Sequence, residues 1–187
     1  MRVSREQAAE SRERILDVAS KLFREHGLDG IGVADLMKSA GLTHGGFYGH
    51  FCSKEDLMAQ ACTRALAHSV EKWDKLSEKD RPLSAIVKTY LSKRHRDDPR
   101  EGCALPALGG DVARQGPPVR HAFTDGVKSL IGILARAVTG RTQAVRRRKA
   151  LAICAGLMGA VVLARAVDDR ELSDEILEAV AASIGVE

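Results

Sequence analysis

Apolar residues recur along this chain at the three- and four-residue spacing of helices almost from end to end. Ile15, Val18, Ala19, Leu22 and Phe23 fall on one stripe, and Gly27 stops it. Val33, Leu36, Met37 and Ala40 repeat the spacing over a much shorter element that Gly41 closes. Thr43 is placed to cap a third short helix in which Phe47 and Phe51, four apart, turn inward together. Ser53, with Asp56 at the third helical position, opens a fourth. That helix runs from about Lys54 to beyond Trp73. A helix of roughly 20 residues spans about 30 Å, enough to connect two bodies.

The remainder follows the same period. Pro82 suits a first helical turn, and Leu83, Ile86, Val87, Tyr90 and Leu91 form the stripe behind it. The charged run SKRHRDDPRE at 92–101 has no apolar period and contains Pro99, so it reads as an exposed loop. A short helix from Cys103 to Arg114 is expected to break or end near Gly109 and Gly110. Pro117 and Pro118 start another, with Val119, Phe123, Val127, Leu130, Leu134 and Ala137 on one face up to about Gly140. The most apolar helix runs from Thr142 to about Val167, and a last one carries Ile176, Leu177, Val180, Ala181 and Ile184. No strand pattern and no internal repeat competes. The pattern predicts an all-α chain of about nine helices. A three-helix N-terminal helix-turn-helix domain occupies 1–53, and a larger C-terminal helical bundle occupies 54–187, with the helix from 54 as connector.

Composition narrows this further. Hydrophobic residues make up 44% and charged residues 29% of 187 positions, the balance of a globular protein able to bury a core. Met1 to Arg14 is polar and charged, and no uninterrupted apolar run approaches the roughly 20 residues of a membrane span. A cytoplasmic protein without a membrane partner is expected. Cys52, Cys62, Cys103 and Cys154 form no CxxC pair, so reduced thiols are expected rather than disulfides. His44, His50, His95 and His121 show no His-x-x-x-His with an acidic partner, so neither a metal nor another cofactor is expected. The net charge is +4. Residues 1–60 hold eight Lys/Arg against nine Asp/Glu, a net of −1, while 61–187 hold 21 against 16, a net of +5. If the N-terminal part binds nucleic acid, it does so through placement of charge and not through excess.

Two short helices joined by a turn at Gly41 and preceded by a longer supporting helix suit a helix-turn-helix whose second helix enters a major groove. Thr43 and Tyr48 offer hydroxyls, His44 and His50 ring nitrogens, and Lys54 a charge, all suited to phosphates or base edges. Arg12, Ile15, Leu16, Ala19, Leu22, Phe23 and Gly27, followed by AGLTHGGFYGHFCSKEDL at 40–57, resemble the DNA-binding domain of the TetR family of bacterial transcriptional regulators. The resemblance is strong over about the first third of the chain. Beyond it, the segment GCALPALGGDVAR is similar to what one subgroup carries. The resemblance implies a sequence-specific DNA-binding regulator, a repressor released from a double-stranded operator by a small-molecule effector of unknown identity. It also implies that Tyr48, His50 and Lys54 hold phosphates, that Thr43 and His44 face the groove, and that Gly45 permits close approach to DNA. Two departures stand out: Gly32 replaces the usual Ser or Thr cap of the second helix, and Gly46 and Gly49 replace side chains that read bases. Specificity then shifts toward DNA shape and an N-terminal arm with Arg2 and Arg5.

Such proteins bind as dimers, because two recognition helices about 34 Å apart reach successive major grooves. The last two long helices offer Ala155, Gly156, Gly159 and Ala160 for close approach and Ile176, Leu177, Val180 and Ile184 for apolar area; the competing reading is an intramolecular core. For an effector, the candidates are Trp73, Tyr90, Leu91, Cys103, Leu105, Leu108, Phe123, Val127 and Met158, each of which also suits plain core packing. Cys103, at the start of a helix, reads either as a dipole-stabilised reactive thiol or as a small buried hydrophobe. The rival function is a helical small-molecule-binding protein or enzyme using Cys103, His95, His121 and Asp111; no triad-like or metal-like spacing joins these residues.

Overall fold

A computed structural model describes residues 4–185, which form nine α-helices and one 3-10 helix. Arg2 of the expected N-terminal arm lies outside the described residues. Helix α1 (Arg5–His26) begins with a reciprocal cap: Ser4 Oγ accepts from Gln7 N–H at 3.1 Å, and Gln7 Oε1 accepts from Ser4 N–H at 3.0 Å. Its expected stripe is buried except for the half-buried Val18, with Leu16 added to it. Helix α2 (Val33–Ser39) ends in a turn through Gly41, whose φ of +72° is the left-handed conformation that only glycine adopts freely. Next comes the 3-10 helix His44–Gly49.

Helix α3 (Lys54–Ser77) is capped by Ser53, whose hydroxyl accepts from Asp56 N–H at 3.0 Å. It packs against α1 at its start and along most of its length against α7 (Pro117–Ala137). The two run in parallel, since Gly116 sits at Glu55, Gly126 at Leu66, and Arg136 pairs with Asp74. Gly126 sets how close they come: a Cβ there would fall 2.6 Å from the Leu66 side chain. Helices α4 (Pro82–Tyr90) and α6 (Ala104–Val112) pack against α3 from another side, while α8 (Gln143–Ala166) and α9 (Arg170–Ser183) form the outer layer beyond α7.

Three expectations are corrected. Segment 92–101 is not an exposed loop, because it contains a further helix, α5 (Lys93–Asp97), with His95 and Arg96 only 8% and 3% exposed. Arg96 tolerates burial because Asp97, at 2.7 Å, Ser173, at 2.9 Å, and Asp174 surround its guanidinium. Arg165 donates to the carbonyls of His95, at 2.6 Å, and Arg96, at 2.9 Å. Within a run that stays largely exposed, these partners draw His95 and Arg96 inward, so the segment is docked on the body and is not a free loop. Helix α6 passes through Gly109 and Gly110 instead of breaking there. The reason is packing: a Cβ on Gly109 would meet Met158 Cε at 2.5 Å. Among the interface candidates, Ala160 and Leu177 turn inward into this chain's own core, each 3% exposed.

His95 ties the body together. Its Nε2 accepts from Cys103 N–H at 2.9 Å, which puts the ring proton on Nδ1, 2.6 Å from the Tyr90 carbonyl that accepts it. Burial pushes this imidazole down from 6.5 to about 4. The native state holds it neutral, so as pH falls below 6.5 the unfolded chain takes up a proton that the folded chain refuses, and stability drops. This residue alone should remove up to about 3 kcal/mol between neutral pH and pH 4. In urea unfolding at successive pH values, His95→Gln should start less stable at neutral pH and show a flatter pH dependence; parallel curves for the two proteins would refute the assignment.

Candidate nucleic-acid interface

The short segment after α2 is held by its two phenylalanines. Phe47 and Phe51 are 1% and 2% exposed, with ring centroids 5.7 Å apart and planes 29° from parallel. The Arg12 guanidinium of α1 lies over Phe51 at 5.2 Å and donates to Gln60 of α3. Leu42 N–H to Met37 carbonyl, at 2.9 Å, and Gly46 N–H to Thr43 carbonyl, at 3.1 Å, close the turn and open the 3-10 helix. With its inner side anchored, the segment turns its other positions outward: Thr43, His44, Gly45, Tyr48 and Gly49 are exposed, and Gly46, His50 and Lys54 half-buried. Tyr48 is the most exposed large hydrophobic residue described, at 72%, with its ring edge-on to Phe47. All eight residues expected to contact DNA thus lie on one short stretch running into the first residue of α3. Gly32 caps α2 without any side-chain hydrogen bond, leaving its first N–H groups open to the outside.

The glycines here are not required by the fold. None has a positive φ, a Cβ on Gly45 or Gly49 would meet nothing within 4 Å, and one on Gly46 would make only ordinary contact with Met37 at 3.7 Å.

The rest of the body is joined to this head along α6, both at its C-terminal end and at the segment leading into its start. Asp111 accepts from Leu28 N–H at 3.0 Å, just after α1, and Gln115 donates to Asp29 at 3.0 Å. Arg24, 5% exposed, donates to the Arg100 carbonyl, and Lys21 pairs with Glu101 at 2.7 Å. At the start of α6, Cys103 is its N-cap and is 5% exposed. Burial pushes Cys154 up to about 11 and Cys62 to about 12, leaving both as inert thiols.

The nine effector candidates do not converge on one cavity. Trp73, Tyr90 and Cys103, with His95, line a crevice of about 20 Å³, room for about one water. Tyr90 Oη is the one buried side-chain polar atom without a partner among the described residues. Phe123 and Met158 meet at Gly109, whereas Leu91, Leu105 and Leu108 belong to the buried core, and Val127 packs against it. The sequence reading missed the large hollow. A groove of about 1120 Å³ runs between α3 and α7, walled by Ala59, Leu66, Ala67, Val70, Ala122 and Gly126 and rimmed by Glu71, Asp74, Glu78 and Asp125. Nothing in either helix pattern signals it, because a groove belongs to the angle between two helices. The rival enzyme set is scattered. His95 lies beside Cys103 with both ring nitrogens occupied by backbone groups, His121 is exposed on the groove rim, and Asp111 is bonded to the head. Among the described residues, no group of three or more His, Cys, Asp or Glu is placed to hold a metal.

Comparisons with known proteins bear on the head and on the whole fold separately. Residues 15–61 match the family model described as bacterial regulatory proteins, tetR family. The regulator AcrR of Shigella flexneri is 39% identical over 59 residues, 32% of this chain and 27% of AcrR. The repressor NemR of Escherichia coli is 26% identical over 135 residues, covering 69% of this chain and 67% of NemR. The match thus spans only about a quarter of AcrR's length, but two thirds of NemR's. By fold, the chain is similar to reduced E. coli NemR, with a TM-score of 0.79 at 23% identity over 95% of this chain and 96% of that one. It is also similar to Bacillus subtilis FadR in complex with stearoyl-CoA, with a TM-score of 0.63 at 18% identity over 92% and 98%.

Because neither backbone nor packing needs them, Gly45→Ala and Gly49→Ala should each leave stability unchanged or raise it by up to about 1 kcal/mol in urea unfolding. A clear loss of stability in either would reveal an internal constraint and remove the argument for an external one.

Proposed function

We propose that this chain, which belongs through its helix-turn-helix domain to the tetR family of bacterial regulatory proteins, is a transcriptional repressor. It acts in the cytoplasm as a homodimer and leaves a double-stranded operator when a small molecule binds its C-terminal body. The observation that carries this reading is the exposed stretch from Thr43 to Lys54, held from behind by Phe47 and Phe51 and bearing hydroxyls, imidazoles and an ammonium. In it Tyr48, His50 and Lys54 hold phosphates, Thr43 and His44 reach base edges, and Gly45, Gly46 and Gly49 let the backbone approach the duplex. Residues 1–53 act as the reading head and 54–187 as the sensing and pairing body.

The second copy docks on the outer layer. Helix α8 is long and apolar enough by composition to cross a membrane, yet only 33% of its most apolar stretch is buried within the chain. Its outward face carries Ala152, Ala155, Gly159, Val162 and Leu163, and α9 adds Leu172 and Ala179 beside the half-buried Ile176. Small residues allow a close helix crossing, and the apolar face needs a cover that a twofold partner supplies. The dimer face therefore keeps Ala155, Gly159 and Ile176. Gly156, Val180 and Ile184 lie at its border, where α8 already meets α9.

The effector enters the groove between α3 and α7, whose apolar walls and acidic rim suit an amphiphilic molecule. Bacillus subtilis FadR, similar in fold, is in complex with stearoyl-CoA, whose acyl chain is long and apolar. A ligand can change DNA affinity only through unequal affinity for two arrangements of the heads. Helix α3 starts right behind the recognition segment, so parting α3 from α7 would shift the head that Asp111 of α6 and the Arg100 carbonyl before α6 otherwise hold in place.

The test is a gel shift on the DNA upstream of the protein's own gene, titrated with salt. Specific binding that weakens steeply with salt is expected, and indifference to sequence would overturn the reading. Tyr48→Phe should weaken binding equally across sequences, while His44→Ala should change which sequences are preferred; uniform loss from His44→Ala would remove it from the base readers. In sedimentation velocity, Leu163→Glu should convert the dimer to a folded monomer with weakened operator binding. A dimer that survives this change would place the interface elsewhere.

A further inference from the structure

Between Asp125 and Asp168 there is no acidic residue, while residues 126–167 contain eight Lys/Arg. Six of these, Arg136, Arg141, Arg146, Arg147, Arg148 and Lys149, crowd the end of α7 and the start of α8. Arg136 pairs with Asp74 at 3.0 Å. Arg146 and Lys149 donate only to the backbone carbonyls of Gly140, at 3.1 Å, and Thr139, at 2.9 Å. Among the described residues, no carboxylate forms a salt bridge with any of the five from Arg141 to Lys149. Beside them, a hollow of about 550 Å³ opens between α7 and α8, lined by Gly132, Ala135, Gln143 and the arginines Arg136, Arg146 and Arg147.

This tip is remote from the reading head. Ser53 caps α3 directly after the recognition segment, whereas Asp74, the partner of Arg136, lies near the helix's far end. A 24-residue helix is about 36 Å long, so one straight operator beneath the heads does not reach the tip. The head itself, with eight cations against nine acids over residues 1–60, has little long-range pull on a polyanion, and the chain's excess of positive charge lies in the body.

We propose that the arginine-rich tip at the end of α7 and the start of α8 is a second, sequence-independent DNA-binding surface that takes the phosphate backbone of a duplex other than the operator. The proposal rests on the head being the operator-binding surface. Guanidinium groups match phosphate oxygens two by two, and five of the six cations here are arginine. A lipid surface suits the tip less well, because no aromatic residue follows Phe123 and an interfacial helix needs such anchors. A repressor that holds one duplex at its tip while its heads sample another can pass between DNA segments or bridge them.

The experiment uses the full-length dimer and a labelled duplex of random sequence. Tyr48→Ala/Lys54→Gln silences the head, and this variant should still bind the random duplex with a steep salt dependence. Adding Arg141→Gln and Arg147→Gln should weaken that binding about tenfold or more and reduce the slope of log affinity against log salt by roughly 2, about 0.9 per lost phosphate contact. With an intact head, the tip variant should keep its operator preference, and wild-type protein saturated with operator should capture the second duplex. The proposal is overturned if the head-silenced variant releases random DNA, if the tip substitutions change nothing, or if phosphatidylserine vesicles bind while the duplex does not. Should the intact protein show no preference for its upstream DNA, the operator reading alone fails, because the random-duplex measurements stand without it.

Discussion

Helix α3 is buried on two sides at once, and the other features of the molecule depend on that. Leu57, Met58, Ala61 and Cys62 near its start belong to the same core as Ile15, Ala19 and Phe23 of α1. Farther along, Leu66 lies against the backbone of α7 at Gly126, and Trp73 reaches Tyr90 of α4, with ring centroids 5.6 Å apart. One helix is thus a wall of both the N-terminal head and the C-terminal body. A close-packed interior deforms little, so α3 ties the position of its N-terminal half to that of the half packed on α7.

A second tie runs beside the first. Helix α6 has the Tyr90, His95 and Cys103 crevice at one end and the Asp111 bond to Leu28 N–H at the other. Head and body are joined by polar contacts of both kinds: Arg24 and Asp111 bond the backbone at Arg100 and Leu28, while Lys21 pairs with Glu101, Arg64 with Glu13 and Asp17, and Gln115 with Asp29. Within the body, Arg165 and His95 likewise bond backbone groups. Side chains that bond backbone fix segments of chain relative to one another, which is what a joint between two functional parts requires. Within the body, the Tyr90 hydroxyl has no partner among the described residues, and it lies in a crevice with room for about one water.

The surface divides its charge in the same functional sense. The segment from Thr43 to Lys54 places a few polar groups in a near-neutral head, which has little net charge with which to attract a polyanion. Positive charge gathers at the opposite end of the body, and the faces between carry either the acidic rim of the groove or the apolar outer stripe of α8 and α9.

Local chemistry is what the sequence determined by itself. Apolar spacing set the helical class and most helix bounds, and the cap at Ser53 and the turn at Gly41 marked where helices start and stop, whereas Thr43 stands at the expected cap position without a side-chain hydrogen bond. The run from Thr43 to Lys54 was legible because all its members sit within a dozen residues, so spacing alone brings them together. Only the tertiary structure decided the rest. Whether 92–101 is solvated depends on Asp174 and Arg165, some 70 to 80 residues away. Whether Gly109 breaks α6 depends on Met158, and whether Ala160 and Leu177 face a partner or the core depends on how α8 rolls against α7 and α9. Periodicity states that a helix has an apolar face. It does not state which neighbour covers that face, nor where two helices diverge to leave a groove, because both are properties of pairs of elements distant in sequence.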